Sequence, residues 1–154
     1  MRTDYPIIKF MLDDYVIKQG KRLGIDFTPN RAHDTDAGAD IRCVRDFTVP
    51  PMCSVAVETG LHVETPPNTK CEIKSKSGLN VNYGIITTGL IDEGYTGSIK
   101  VRVYNFGDEE YHFSAGDEIT QLVFSQVCYP TFEQVDSING GERGDDGFGS
   151  TGKR

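Results

Sequence analysis

Gly89-Leu90-Ile91-Asp92-Glu93-Gly94-Tyr95-Thr96-Gly97 is the stretch around which this chain is organised. An apolar pair, Leu90 and Ile91, runs into two carboxylates and then into a tyrosine between two glycines. Beyond Gly97, residues 98–106 alternate, with Ile99, Val101 and Val103 on one side and Lys100, Arg102 and Tyr104 on the other. That period of two marks a half-buried strand. The quoted residues therefore predict a hairpin whose tip carries Asp92 and Tyr95, with glycines supplying positive φ or close backbone approach. Taken alone, such a tip reads more readily as a solvated surface turn. The rest of the chain decides between the two.

At 154 residues and 17.0 kDa the chain is expected to be one domain with a core of its own. Seventeen glycines, seven prolines and many short Val, Ile, Phe and Tyr runs indicate turns and strands. No stretch holds a 3.6-residue apolar stripe over three turns, which predicts an all-β fold with little helix. A net charge of −7 argues against nucleic-acid binding, because phosphate contacts need a basic face. An anionic small molecule could still bind through local cations, backbone amides or a bridging metal. Cys43, Cys53, Cys71 and Cys128 form no C-x-x-C pair and read as small core residues in a reducing compartment, the cytoplasm. The apolar run at 7–12 is broken by Lys9, too short to span a membrane and unlike a signal peptide.

In chain order, 6–12 is expected to be a first strand. Residues 13–30, broken by Gly20 and Gly24, are expected to be a loop with a short strand or turn. Asp34, Asp36 and Asp40 invite a calcium-loop reading, but Arg45 stands at the twelfth position, where an acid is required. What remains is a small-residue turn feeding a strand that starts at Asp40. Strands follow at 54–64, broken at Gly60, and at 70–74. The second ends in Ser75-Lys76-Ser77-Gly78-Leu79, whose cation, hydroxyl and glycine-freed amides suit phosphate, though a plain polar turn reads the same way. Residues 118–127 form a further strand, in which Ile119, Gln121, Val123 and Val127 are expected to share a face. Gln121 then either braces a neighbouring loop or points into a site. The tail, 138–154, has six glycines and only Ile138 and Phe148 as sizeable apolar groups, so it is expected to be a mobile arm. Residues 147–153 match the start of a Walker A loop, but Arg154 replaces the Ser/Thr and no helix follows.

Five segments, at 36–41, 75–79, 89–97, 116–122 and 143–152, resemble in order and spacing the five motifs of the homotrimeric deoxyuridine triphosphatases (dUTPases). The third, and the Arg-Gly-x-x-Gly-Phe-Gly-Ser-Thr-Gly run of the fifth, are the most specific. The resemblance implies a jelly-roll-like β domain over 1–137 and an arm over 138–154 that closes on a neighbouring active site. It implies a homotrimer that hydrolyses dUTP to dUMP and pyrophosphate with Mg²⁺. Asp92 would be the general base that activates the water attacking the α-phosphorus, aspartate being ordinarily a carboxylate at neutral pH. Tyr95 would pack on the deoxyribose, and the backbone around Gly89 would read the uracil edge. Asp40 would hold the metal through water. Lys76, Ser77, Gly78 and Gln121 would bind phosphates. From the arm, Phe148 would cover the uracil while Arg143, Gly149, Ser150 and Thr151 reach the substrate.

The chain departs from the family at three places. Lys76 stands where arginine is usual, which leaves a point charge instead of a bidentate fork. Asp146 replaces a glycine of the arm, and Thr87-Thr88 precedes Gly89 where smaller or amide-bearing residues are common. Two rival readings remain: a dCTP deaminase-like enzyme of the same fold, against which the arm and the Gly89–Gly97 stretch speak, and a dUTP-controlled regulatory module that binds a protein partner.

Overall fold

The computed structural model describes residues 6–138 together with Gly140, Gly141 and Gly144. In order the elements are β1 (Lys9–Leu12), α1 (Asp14–Leu23), β2 (Ala39–Arg42), β3 (Phe47–Val49), β4 (Ser54–Glu58), β5 (Leu61–Glu64), β6 (Thr69–Lys74), α2 (Ser77–Tyr83), β7 (Ile85–Ile91), β8 (Lys100–Asn105), β9 (Tyr111–Phe113) and β10 (Glu118–Gln126). Six strands form one sheet in the order β2-β10-β6-β7-β8-β4; β1 pairs with β5 and β3 with β9. Every strand pairing is antiparallel. The result is a set of curled sheets, the jelly-roll-like architecture that the family resemblance implies.

The main core is built from the inward halves of the alternations. Val101 and Val103 of β8 are fully buried, and they join Ile85 of β7, Leu61 of β5, Phe113 of β9 and Ile119 of β10. Branched residues dominate because a pleated, half-covered surface accepts them at little cost in side-chain freedom. Their burial supplies the main driving force, at roughly 25 cal/mol per Å² of apolar surface removed from water.

Four expectations are corrected by the coordinates. Residues 14–23 form a ten-residue helix where a loop was expected. Ten residues span fewer than three turns, and Val16 alone is fully buried, packing with Phe27 and Val44, so the apolar stripe is too short to read. The two glycines do not break it. Gly24 is its left-handed C-terminal cap at φ 68°, and Gly20 lies where a Cβ would stand 2.7 Å from the Ile25 carbonyl. Second, residues 77–83 form the short helix α2 in place of a turn.

Third, the strands flanking the central stretch do not make a simple hairpin. β7 and β8 pair only over Ile85–Thr87 and Val103–Asn105. Beyond that point β7 continues against β6, whereas β8 continues against β4, so the two part company and the loop between them stands open. Fourth, β10 carries a register shift between Glu118 and Thr120. A bulge resets the alternation, so Ile119, Thr120 and Leu122 are all buried and Gln121 lies off the apolar face. The cysteines divide as well: Cys43 and Cys71 are core residues, but Cys53 and Cys128 are exposed.

Candidate active site

The loop between β7 and β8 is folded on itself and pinned from outside. Tyr95 N–H donates to the Asp92 carbonyl at 3.2 Å, and Gly94 takes φ 84°. The Tyr95 hydroxyl donates to the Ser98 carbonyl at 3.0 Å. The ring thereby lies against Gly97, where an added Cβ would stand 2.5 Å from the hydroxyl oxygen. Glu93 anchors the turn from one side. Its Oε2 accepts the Asn68 N–H at 2.9 Å and the Tyr129 hydroxyl at 2.7 Å, and that bond holds the Tyr129 phenol above its ordinary pKa.

His62 anchors the other side, with Nδ1 2.7 Å from the Thr96 carbonyl and Nε2 3.1 Å from Asp13 Oδ1. Both partners are pure acceptors, so only the imidazolium satisfies both at once. The bond to Thr96, above all, raises the His62 pKa, with Asp13 adding to it against a smaller desolvation cost. Between these anchors Asp92 is exposed; among the described residues its carboxylate accepts no hydrogen bond and makes no ion pair.

A second group of candidate residues gathers at the far end of β6. The bend at Ser75 is stitched to both neighbours: Ser75 Oγ donates to the Thr87 carbonyl at 3.0 Å and accepts the Thr87 N–H at 2.9 Å. The buried Thr87 and Thr120 hydroxyls meet at 2.8 Å, and Thr120 Oγ1 reaches the Lys74 carbonyl at 2.9 Å. Gln121 Nε2 donates to the Ser75 carbonyl at 2.9 Å, and its Oε1 fills the space a Cβ on Gly38 would need. Of the two readings left open for Gln121, bracing the neighbouring loop is the one the geometry supports. Ser77 and Gly78 follow directly, exposed in the first turn of α2.

Lys76 does not point at solvent. Its Nζ lies 2.5 Å from Asp40 Oδ1 and 2.9 Å from Glu118 Oε2. Burial works against its charge, but the bonds to the two carboxylates outweigh it and raise the pKa above the usual lysine value. The Lys76 bond likewise holds Glu118 below the ordinary carboxylate range. Arg42 completes the network, with Nη2 2.7 Å from Glu118 Oε1 and Nη1 2.8 Å from the Gly116 carbonyl.

The structure thus brings Asp40, Lys76, Ser77, Gly78 and Gln121 to one end of β6, and Asp92 and Tyr95 to the other. Ile91 pairs with Cys71, and Thr88 with Lys74. Asp92 is thus six residues from Lys76 in the register, about 20 Å at ~3.3 Å per residue. Gly89 lies between them, paired with Ile73. Arg143, Asp146, Phe148, Gly149, Ser150 and Thr151 lie outside the described residues.

The site's supporting residues were not legible in sequence. Glu93, His62, Glu118 and Arg42 act through partners far away in the chain, 36 residues for Glu93 and Tyr129, and no local spacing signals such pairs. Asp40 offers hard carboxylate oxygens suited to Mg²⁺. Among the described residues no group of three or more His, Cys, Asp or Glu is placed to hold a metal. A divalent ion at Asp40 would therefore need phosphate oxygens and water for most of its ligands.

The family model for dUTPase matches residues 27–152. A deoxyuridine 5'-triphosphate nucleotidohydrolase of Gloeothece citriformis is 39% identical over 127 residues, covering 80% of this chain and 88% of that protein. Its counterpart in Paramecium bursaria Chlorella virus 1 is 40% identical over 126 residues, covering 81% and 89%. The human mitochondrial protein of that name is 37% identical over 126 residues, covering 81% of this chain but only 50% of its own length. The chain belongs to the dUTPase family.

Among solved structures, the Staphylococcus bacteriophage 80alpha dUTPase with dUpNHpp superposes with a TM-score of 0.81 at 24% identity, covering 96% of this chain and 99% of that one. The 4% left out is too little to contain α1, so the shared fold reaches ahead of the family match. A mutant dUTPase of Staphylococcus aureus phage phi11, described with a structural Mg(II) ion, gives 0.71 at 22% identity, covering 86% and 98%. At these identities the likeness speaks for the fold.

Proposed function

We propose that this protein hydrolyses dUTP to dUMP and pyrophosphate, with Asp92 as the general base. The observation that carries this reading is the loop at 92–98. Glu93 and His62 hold it in place from both sides, yet Asp92 keeps a carboxylate with no counter-ion and no hydrogen-bond donor among the described residues. A pinned backbone with an unengaged acid is what a positioned base requires, since it must take a proton from water without first giving up a partner. Tyr95, folded back on Gly97, presents its ring as a wall for the deoxyribose. The Gly89 backbone reads the uracil edge.

At the other end, Ser77 and Gly78 receive the triphosphate on a hydroxyl and on backbone amides, while Gln121 acts by holding Ser75 in place. Asp40 is the residue that would hold Mg²⁺, largely through water. When bound, the ion supplies charge neutralisation for the triphosphate in a protein of net charge −7. Arg143, Phe148, Gly149, Ser150 and Thr151 of the 138–154 arm cover the nucleotide and exclude water from it.

The distance between the two groups supports assembly as a homotrimer. A side chain cannot reach on the order of 20 Å, so Asp92 of one subunit is best paired with the phosphate end of another. We place the protein in a reducing compartment such as the cytoplasm, in keeping with its four free cysteines.

The test is Asp92→Asn. Loss of the base alone should lower turnover roughly 10²–10⁴-fold while the affinity for dUTP, measured by calorimetry, stays close to that of the parent. Turnover near the parent's would remove Asp92 from the mechanism.

A further inference from the structure

Lys76 has more to do than lend a weak positive charge to the phosphates. Asp40 on β2 and Glu118 on β10 converge on its single ammonium, at 2.5 and 2.9 Å, while Glu118 is shared with Arg42 at 2.7 Å. The order Arg42, Glu118, Lys76, Asp40 alternates in sign. Its two ends differ. Arg42 is fixed to the Gly116 carbonyl as well, whereas among the described residues the Asp40 carboxylate has Lys76 as its one ion-pair partner. Asp40 is also the most withdrawn of the four, with 16% of its side chain exposed, so the charge Lys76 neutralises is poorly served by water.

This arrangement bears on how a divalent ion reaches Asp40. A hard cation seeks about six oxygen ligands, and here it meets a carboxylate already holding an ammonium, with no third acidic ligand close by among the described residues. We infer that Lys76 is a tethered counter-cation that competes with a divalent ion for Asp40, so that metal enters the site with the nucleotide and Lys76 then turns from Asp40 to the phosphates. A lysine suits that exchange. Its ammonium is a point charge on a flexible four-carbon stem with three rotatable donors, whereas a guanidinium fork is committed to one plane. The inference rests on the functional reading given above, and it assigns lysine a positive role at the position where the family resemblance suggested only a poorer arginine.

The test measures metal binding to the purified full chain without nucleotide, using Mn²⁺ as the probe and electron paramagnetic resonance as the readout. Lys76→Met should bind Mn²⁺ about tenfold more tightly than the parent, the scale on which a neighbouring group alters metal affinity. The gain should vanish in Lys76→Met combined with Asp40→Asn. Lys76→Gln, which removes the charge but keeps a hydrogen bond, serves the same comparison if the methionine variant does not fold. In the presence of Mg²⁺ and dUpNHpp, the lysine-free variant should bind the nucleotide more weakly than the parent. A folded variant that binds Mn²⁺ no more tightly overturns the inference, as does a gain that survives Asp40→Asn. Failure of the parent to bind dUpNHpp at all would instead overturn the functional reading, so the two failures are told apart.

Discussion

At the scale of single residues, the site depends on side chains whose partners are distant in sequence. Tyr95, by contrast, is held within its own loop, by Gly97 and Ser98. Its ring is folded onto Gly97, and an added Cβ there would come within 2.5 Å of the hydroxyl oxygen and 2.7 Å of Cζ. Gly97→Ala should therefore push the ring out of its seat without touching the core. Because a methyl-sized change in a fitted pocket is worth roughly 10–200-fold in discrimination, we expect the preference for dUTP over UTP to fall by about tenfold or more. Steady-state kinetics with both nucleotides checks this, and an unchanged ratio would mean that Tyr95 does not guard the sugar. Asp92 and Tyr95 stand out as candidates in the sequence because they sit in one contiguous stretch with glycines at fixed offsets. Glu93 was visible only as a second acid, since Asn68 and Tyr129, which it clamps, are brought to it by the fold.

At the scale of elements, α1, β5 and the 92–98 loop are tied together by one histidine. Asp13 stands at the N-terminal cap of α1, His62 lies on β5, and Thr96 belongs to the loop. Since the folded protein raises the His62 pKa, its stabilising contribution is fully present below the unfolded value of about 6.5. It is lost as the pH rises through the folded value. Thermal melts of the parent and of His62→Gln should accordingly differ most below about pH 6.5 and converge as the pH is raised. A gap that widens with pH would contradict the doubly donating imidazolium. The same region marks where sequence reading stopped. Strands announce themselves by strict alternation, and most were found, but the three-residue β3 and β9 are too short to alternate and were missed. Helix α1 offers one fully buried residue and an internal glycine, and the bulge in β10 shifts register by a residue that no pattern reveals.

At the scale of the whole molecule, the claim is that a working site is assembled from more than one chain. The two candidate groups lie at opposite ends of β6 and β7, and the arm carries Arg143, Phe148, Ser150 and Thr151 in a segment with little apolar content to dock on its own subunit. Two inactive proteins should then complement each other. One is truncated after Gly141 and keeps Asp92; the other keeps its arm and carries Asp92→Asn. Refolded together, mixed trimers should regain dUTP hydrolysis that neither parent shows. If native mass spectrometry finds mixed trimers and activity stays at the parents' level, the arm serves its own chain.

Offering the purified protein dUTP, dCTP, dTTP and UTP separately with Mg²⁺, and measuring pyrophosphate and ammonia, decides whether this chain cleaves dUTP and not its neighbours in nucleotide chemistry. We expect pyrophosphate from dUTP, far less from the other three, and no ammonia from any. Ammonia from dCTP would identify a deaminase, and tight dUTP binding without turnover would identify a regulatory module; either result contradicts the account.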